Sequence, residues 1–252
     1  MKKVANRDFA WLMRRLRSQA SERNAAGMRK FGINGGDMLG VSVTELRLLS
    51  KDFGTDHDTA MQLWSTGVHE ARILAGIVEE PEKVSDAQAE AWLKDMDSWD
   101  LVDQTCLNLY SKMPNPFRRA RDWVSREREF EKRTGFALIA SIAAFGKGQA
   151  DQEFIDFLPQ IKKASTDDRN FVKKAVNWAL RQIGKRNNKL HSKALACAKE
   201  IEAIDSPAAK WIASNAIREL ENTSTVARID EKEKKKAIMP YKKQVFVRRK
   251  RR

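Results

Sequence analysis

Histidine and cysteine are scarce in this chain: 252 residues hold three histidines (His57, His69, His191) and two cysteines (Cys106, Cys197). The histidines have no metal-ligand spacing and no Cys-x-x-Cys pair occurs, which argues against a structural zinc. The two cysteines lie far apart in helical patterns and read as small core residues in a reducing compartment. No run of about 18 apolar residues exists, so no membrane span is expected. The first twenty residues are interrupted by charges, unlike a secretory leader. Gly146-Lys147-Gly148 lacks the earlier glycine, the following Ser or Thr and the preceding strand of a phosphate loop. No Gly-x-Ser-x-Gly elbow is present. Metal, nucleotide-cofactor and serine-nucleophile chemistry therefore find no support, and no cofactor is expected. Strand signals are nearly missing too: only Gln244-Val245-Phe246-Val247 alternates as a strand does.

What the chain has in excess is positive charge. Charged residues make up 33%, with a formal net charge of +14. Residues 223–252 carry 12 Lys+Arg against 3 Asp+Glu, whereas the other 222 residues carry 36 against 31. Such a balance favours nucleic acid or another polyanion as partner. The 223–252 segment reads as a basic tail, disordered on its own. The default location is the cytoplasm of a prokaryote, and the terminal basic cluster would equally serve as a nuclear address.

Helical periodicity runs through residues 1–222, which we take as one folded domain. Phe9, Leu12, Met13 and Leu16 form an i, i+3, i+4, i+7 stripe. Ser42 with Glu45, and Ser85 with Gln88, have the spacing of capping boxes. Beyond them helices come in pairs, and the second helix of each pair is expected to begin near His69, Asp100, Lys132, Phe171 and Lys210. That period is one of two-helix solenoid repeats. Turns are expected at Pro81, Pro114 and Pro116, Gly146 to Gly148, Asn187-Asn188 and Pro207. The predicted fold is all-α: a right-handed superhelical solenoid of antiparallel helix pairs with a concave basic groove.

Three elements carry candidate chemistry. In the first, Trp99 and Asp103 lie one helical turn apart, on a face that continues through Val102, Cys106 and Tyr110. A carboxylate beside an indole on so apolar a stripe is costly to bury and suggests a site. In the second, Arg133 leads a stripe of Phe136, Ala137, Ala140 and Ala144. The third is a helix carrying Lys173, Lys174, Trp178 and Arg181, followed by Lys185. All belong to second helices of successive pairs, which line one wall of a solenoid.

The chain resembles the HEAT-repeat DNA alkylation-repair glycosylases from about Met28 to Leu220. The resemblance is carried by Gly32-Ile33, Leu39-Gly40-Val41, Leu46-Arg47, Leu63-Trp64, Glu70-Ala71-Arg72, the Trp-x-x-x-Asp element and the arginine-led helix, in that order. It implies hydrolysis of the N-glycosidic bond of cationic N3- or N7-alkylated purines in duplex DNA, by a monomer. It also implies roles: Trp99 as the aromatic against the lesion's sugar, Asp103 as the catalytic carboxylate, Arg133 as the groove arginine near the lesion backbone, and Trp178 as a second groove aromatic. Ser98 departs from relatives that carry another aromatic there. Lys173, Lys174, Arg181 and Lys185 would hold phosphates, which sets register without reading sequence.

Each of these residues has a plainer reading. Trp99 alone fits a core tryptophan, and Asp103 alone fits a cap or the buried partner of a cation. Arg133 alone fits a snorkelling cation, and Trp178 fits the joint between two repeats as well as a groove wall. Trp64, Trp92, Trp123 and Trp211 read as core or inter-repeat packing. Arg118, Arg119, Arg121, Arg126 and Arg128 read as a solvated face with DNA contact open to a few of them. Two functions without chemistry remain: a helical-repeat protein that binds damaged or branched DNA, and a protein-interaction scaffold.

Overall fold

The computed structural model describes residues 7–235, and every regular element among them is helical. The chain folds as two compact units, Met1–Leu138 and Ile139–Arg252. The first holds α1 (Phe9–Ser18), α2 (Glu22–Lys30), α3 (Val43–Phe53), α4 (His57–Ser65), α5 (His69–Val78), α6 (Asp86–Lys94), α7 (Trp99–Asn108), α8 (Pro116–Trp123) and the start of α9 (Glu129–Phe145). The second holds the rest of α9, then α10 (Asp151–Ile155), α11 (Leu158–Ala164), α12 (Asn170–Gly184), α13 (Asn188–Glu202), α14 (Pro207–Leu220) and α15 (223–235).

Helix starts follow from local chemistry. The side chains of Asp8, Ser21, Ser42, Asp56, Ser85, Asn187 and Ser206 each accept a first-turn backbone N–H. The Ser42–Glu45 box closes in both directions. The second expected box closes only halfway: Ser85 accepts from Gln88 N, but the Gln88 amide donates to the buried Glu79 carboxylate at 2.8 Å. A buried carboxylate needs hydrogen bonds more than a solvated helix start does, and Glu79 also binds His57 Nδ1 at 2.8 Å.

The expected pairing is present. The second helices begin at His69, Trp99, Glu129, Asn170 and Pro207. In the first unit α3, α5 and α7 pack in a row, with α4 against α5; in the second, α12 packs beside α14 and α13 packs on both. The first helices of neighbouring pairs are joined by tryptophans: Trp64 on α4 and Trp92 on α6 stack with ring centroids 4.0 Å apart. Trp123 is buried edge-on against Tyr110, at 5.0 Å. These three are the packing tryptophans the sequence suggests; Trp211 is not, and lies partly exposed on α14.

The arginines of α8 also serve structure. Arg118 and Arg119 both bind Asp86 at the start of α6, and Arg126 reaches Glu90 at 3.2 Å. Arg119 is buried in this contact and Arg126 lies just past α8, while Arg118, Arg121 and Arg128 stay exposed as a solvated face would be. A further difference lies past Asn222, where the apolar pattern thins. Residues 223–235 are helical, because Thr225 and Ile229 are buried one turn apart. Asn222 accepts from Ser224 N at 2.9 Å, and Lys232 donates to the Lys185 carbonyl at the end of α12. The rest of the basic tail, including Gln244 to Val247, lies outside the described residues.

Candidate functional site

The α2–α3 loop and helix α5 build the floor of the site. Glu70 on α5 is fully buried and takes three backbone N–H groups of the loop: Leu39 N at 2.8 Å, Gly40 N at 2.6 Å and Val41 N at 3.3 Å. Gly40 has φ +76, which favours glycine, and its backbone sits against Ser21 and Ala25. At Gly35 a Cβ would come within 2.6 Å of an Asp97 carboxylate oxygen, so a larger residue there would require the Asp97 side chain to shift. Arg72 ties the same turn to α5, lying over the Trp64 ring and 3.7 Å from both Asp95 and Asp97. The motifs Leu39-Gly40-Val41 and Glu70-Ala71-Arg72 are thus two halves of one clasp.

On this floor α7 begins. Trp99, its first residue, packs with Met28 on the buried cluster Ala25, Ile33 and Met38. Its indole N–H donates to the Phe31 carbonyl at 3.1 Å. The indole is therefore held in a single orientation while part of it stays accessible. Phe31 itself is 77% exposed. Sequence reasoning passed over it, although an aromatic after Arg29-Lys30 that belongs to no apolar period was the available signal.

Asp103 follows one turn later. Val102, Cys106 and Tyr110 around it are fully buried, as the apolar stripe demands. Asp103 keeps 22% of its side chain exposed and accepts from Arg133 Nη2 at 2.7 Å; the Arg133 side chain is 5% exposed. Burial pushes the Asp103 carboxyl above the usual aspartate value, the Arg133 charge and hydrogen bond oppose it, and Asp100 adds a smaller upward push. Arg133 is thus nearly buried and its Nη2 is directed at Asp103, a partner that the sequence alone did not name.

The neighbouring Asp100 turns the other way, to His69 Nε2 on α5 at 2.9 Å. Burial disfavours the charged imidazole, but the Asp100 hydrogen bond and the charges of Asp100, Glu70 and Asp97 outweigh it, so the His69 pKa is raised above 6.5. A histidine with a raised folded-state pKa stabilises the fold fully below its unfolded value of about 6.5 and loses that contribution as pH rises through the folded value. Stability is expected to fall over that window, by at most about 1.4 kcal/mol per pH unit from this group, and the melting temperature with it. His69→Gln should flatten the profile there. A wild-type profile that stays flat as pH rises from about 6.5 would contradict the coupling.

The remaining candidates lie on α12 in the second unit. Lys174 is exposed and Trp178 half-buried. Lys173 Nζ sits 5.1 Å from the centre of the Trp211 ring on α14. Arg181 and Lys185 both bind Glu219, the latter at 2.5 Å. The two residues expected to hold phosphates thus share a carboxylate, and at most one net positive charge remains on this trio. Trp99, Asp103 and Arg133 are brought together; Lys173, Lys174, Trp178, Arg181 and Lys185 form a separate group on one helix and its end. Among the described residues no cluster of three or more His, Cys, Asp or Glu could hold a metal ion, and no helix is long and apolar enough to cross a membrane.

Residues 12–220 match the family described as DNA alkylation repair enzyme. No curated protein matches the chain. Among solved structures, one described as "A new family of proteins related to the HEAT-like repeat DNA glycosylases with affinity for branched DNA structures" is 20% identical, with a TM-score of 0.70 over 84% of this chain and 94% of that chain. This likeness gives the fold as a HEAT-like helical repeat. A designed armadillo repeat protein is 17% identical over 85% of this chain and 100% of that chain, with a TM-score of 0.41, too low to carry an argument.

Proposed function

Since the chain belongs to the DNA alkylation repair enzyme family, we propose that it is a monofunctional glycosylase that removes cationic N3- or N7-alkylated purines from duplex DNA. The observation that carries this reading is the Asp103 carboxylate: desolvated, set one turn from a fixed indole, backed by a buried arginine, and still open to solvent at one edge. The DNA alkylation chemistry fits that equipment. An alkylated purine already carries a positive charge, so the C1′–N bond breaks with its electron pair going to the base, which leaves neutral. No general acid is required, and His69 is directed at Asp100 and not at Asp103.

The deoxyribose becomes electron-poor as the base departs, as in other glycoside cleavages. Asp103 would stabilise that cation and orient the water that adds at C1′, which then loses its proton. A preorganised charge of this kind contributes about 3–4 kcal/mol, or two to three decades in rate. Trp99 would add a cation–π contribution on the order of 0.5–2 kcal/mol. Arg133 acts here as a positioning residue: it holds the carboxylate in place and keeps it ionised, at the cost of part of its charge.

The experiment is release of methylated purine from alkylated duplex DNA by the purified chain. Its pH dependence tests the division of roles. Asp103 must be ionised, and its pKa is raised, so activity should fall on the acidic side above the usual aspartate range. Arg133→Met removes the downward pull on that pKa, so the acidic limb should move to higher pH, with activity recovering in more alkaline buffer. An unshifted limb would mean that Arg133 does not tune Asp103.

A second reading is a non-catalytic protein that binds branched or damaged DNA. It is favoured by the Asp103–Arg133 ion pair, whose net charge is zero, and by the solved relative, which is described as having affinity for branched DNA. It predicts binding of a four-way junction or fork without release of any base.

A further inference from the structure

Trp211 is a tryptophan 37% exposed on a helix whose other face is fully packed. Ala208, Ala209, Ile212, Ala213, Ala216 and Leu220 bury one side of α14. The other side presents Trp211, Ser214, Asn215 and Arg218, at i, i+3, i+4 and i+7. Arg218 Nη2 donates to Asn215 Oδ1 at 3.0 Å. Helix α14 has a single carboxylate, Glu219, and it is engaged by Arg181 and Lys185. From α12, Lys173 places its ammonium above the Trp211 ring, with Lys174 exposed beside it in sequence. The stripe is thus aromatic and cationic, with no acid along it.

We infer that Trp211 and Lys173 form a contact for an unpaired nucleotide of a DNA strand, in which the base stacks on the indole and the ammonium moves from the ring to the phosphate. The inference rests on DNA as partner, which family membership supports, and not on base excision. Lysine alone would serve any phosphate backbone. The exposed indole is what selects: bases in a blunt duplex are stacked on one another and offer it nothing, whereas an unpaired base has a free π-face. An exposed cation–π contact is among the weaker aromatic interactions, so an arriving base displaces the ammonium at little cost. The same lysine then remains within reach of the nucleotide's own phosphate.

The test measures binding of the full chain by fluorescence anisotropy to labelled oligothymidylate, a forked duplex and a blunt duplex of equal length, over a range of salt. Trp211→Ala is expected to weaken oligothymidylate and fork binding about tenfold and to leave blunt-duplex affinity within about twofold. Trp211→Leu keeps apolar bulk without a π-face and should show the same loss, while Trp211→Phe should retain most of the affinity. Lys173→Gln should weaken all three DNAs and reduce the salt slope by about one. Unchanged oligothymidylate and fork binding by both Trp211→Ala and Trp211→Leu overturns the inference, as does an equal loss on the blunt duplex. Because only binding is read, wild type that releases no base speaks against the glycosylase reading and leaves this test intact.

Discussion

Asp103→Asn is expected to slow single-turnover release of methylated purine by about two to three decades, with DNA affinity equal to or slightly above wild type. The substitution keeps the shape and an oxygen that can accept from Arg133, but removes the charge. A lost charge matters only when the sugar becomes cationic, so the effect belongs in the rate of bond cleavage and not in binding. Affinity does not suffer, because a carboxylate facing phosphates is unfavourable for binding. Stability moves separately. The buried Arg133 loses its counter-charge, a loss that can cost about 3–5 kcal/mol where nothing replaces it; the retained hydrogen bond should keep the cost below that. Rates must therefore be measured on protein shown to be folded, with Asp103→Asn/Arg133→Met as the stability control. Unaltered release by folded Asp103→Asn would remove Asp103 from the chemistry, whereas no release even by wild type would favour the binding-only reading.

Glu70→Ala is expected to be among the most destabilising single substitutions in the first unit, by about 4 kcal/mol or more. The carboxylate takes three backbone N–H groups of Leu39, Gly40 and Val41, and no solvent reaches it. Its removal strands these donors, each at about 1–3 kcal/mol where buried, and opens a cavity. For a chain of this size each kcal/mol lowers the melting temperature by roughly 2–4 °C, so a drop of about 10 °C or more should appear in a thermal melt. The effect should reach the site, because the released loop carries Phe31, whose carbonyl orients the Trp99 indole. Base release should then fall further than the folded fraction explains. A melt within about 2 °C of wild type would show that the clasp is not what holds the loop.

Comparison of particular elements shows why some features were legible. Helix starts at Ser42 and Ser85, and second helices near His69 and Trp99, depend on neighbours three or four residues away, so local periodicity is enough to read them. The Trp99–Asp103 pair was legible for the same reason: one helical turn places them on one face whatever surrounds the helix. Arg133 was not. A cation at the head of an apolar stripe can turn to phosphate, to solvent or to an acid 30 residues away, and its own sequence does not choose among them. Glu70 stood out only as part of a motif; its three bonds run to residues about 30 positions earlier. Trp211 was read as packing because most tryptophans in helical repeats are buried. Its exposure follows from which side of α14 the alanines cover.

Composition, periodicity and capping chemistry were enough to read an all-helical repeat of paired helices, a charge balance that favours an anionic partner, and one acid set where acids are costly. All of these are short-range or summed properties. Tertiary structure decided where each charge is spent: Arg133 on Asp103, His69 on Asp100, Arg181 and Lys185 on Glu219, and Lys173 on an indole. The reason is that an ion pair acts over a few ångströms between helices that sequence separates by about 30 to 40 residues, so its partner exists only once the helices are packed.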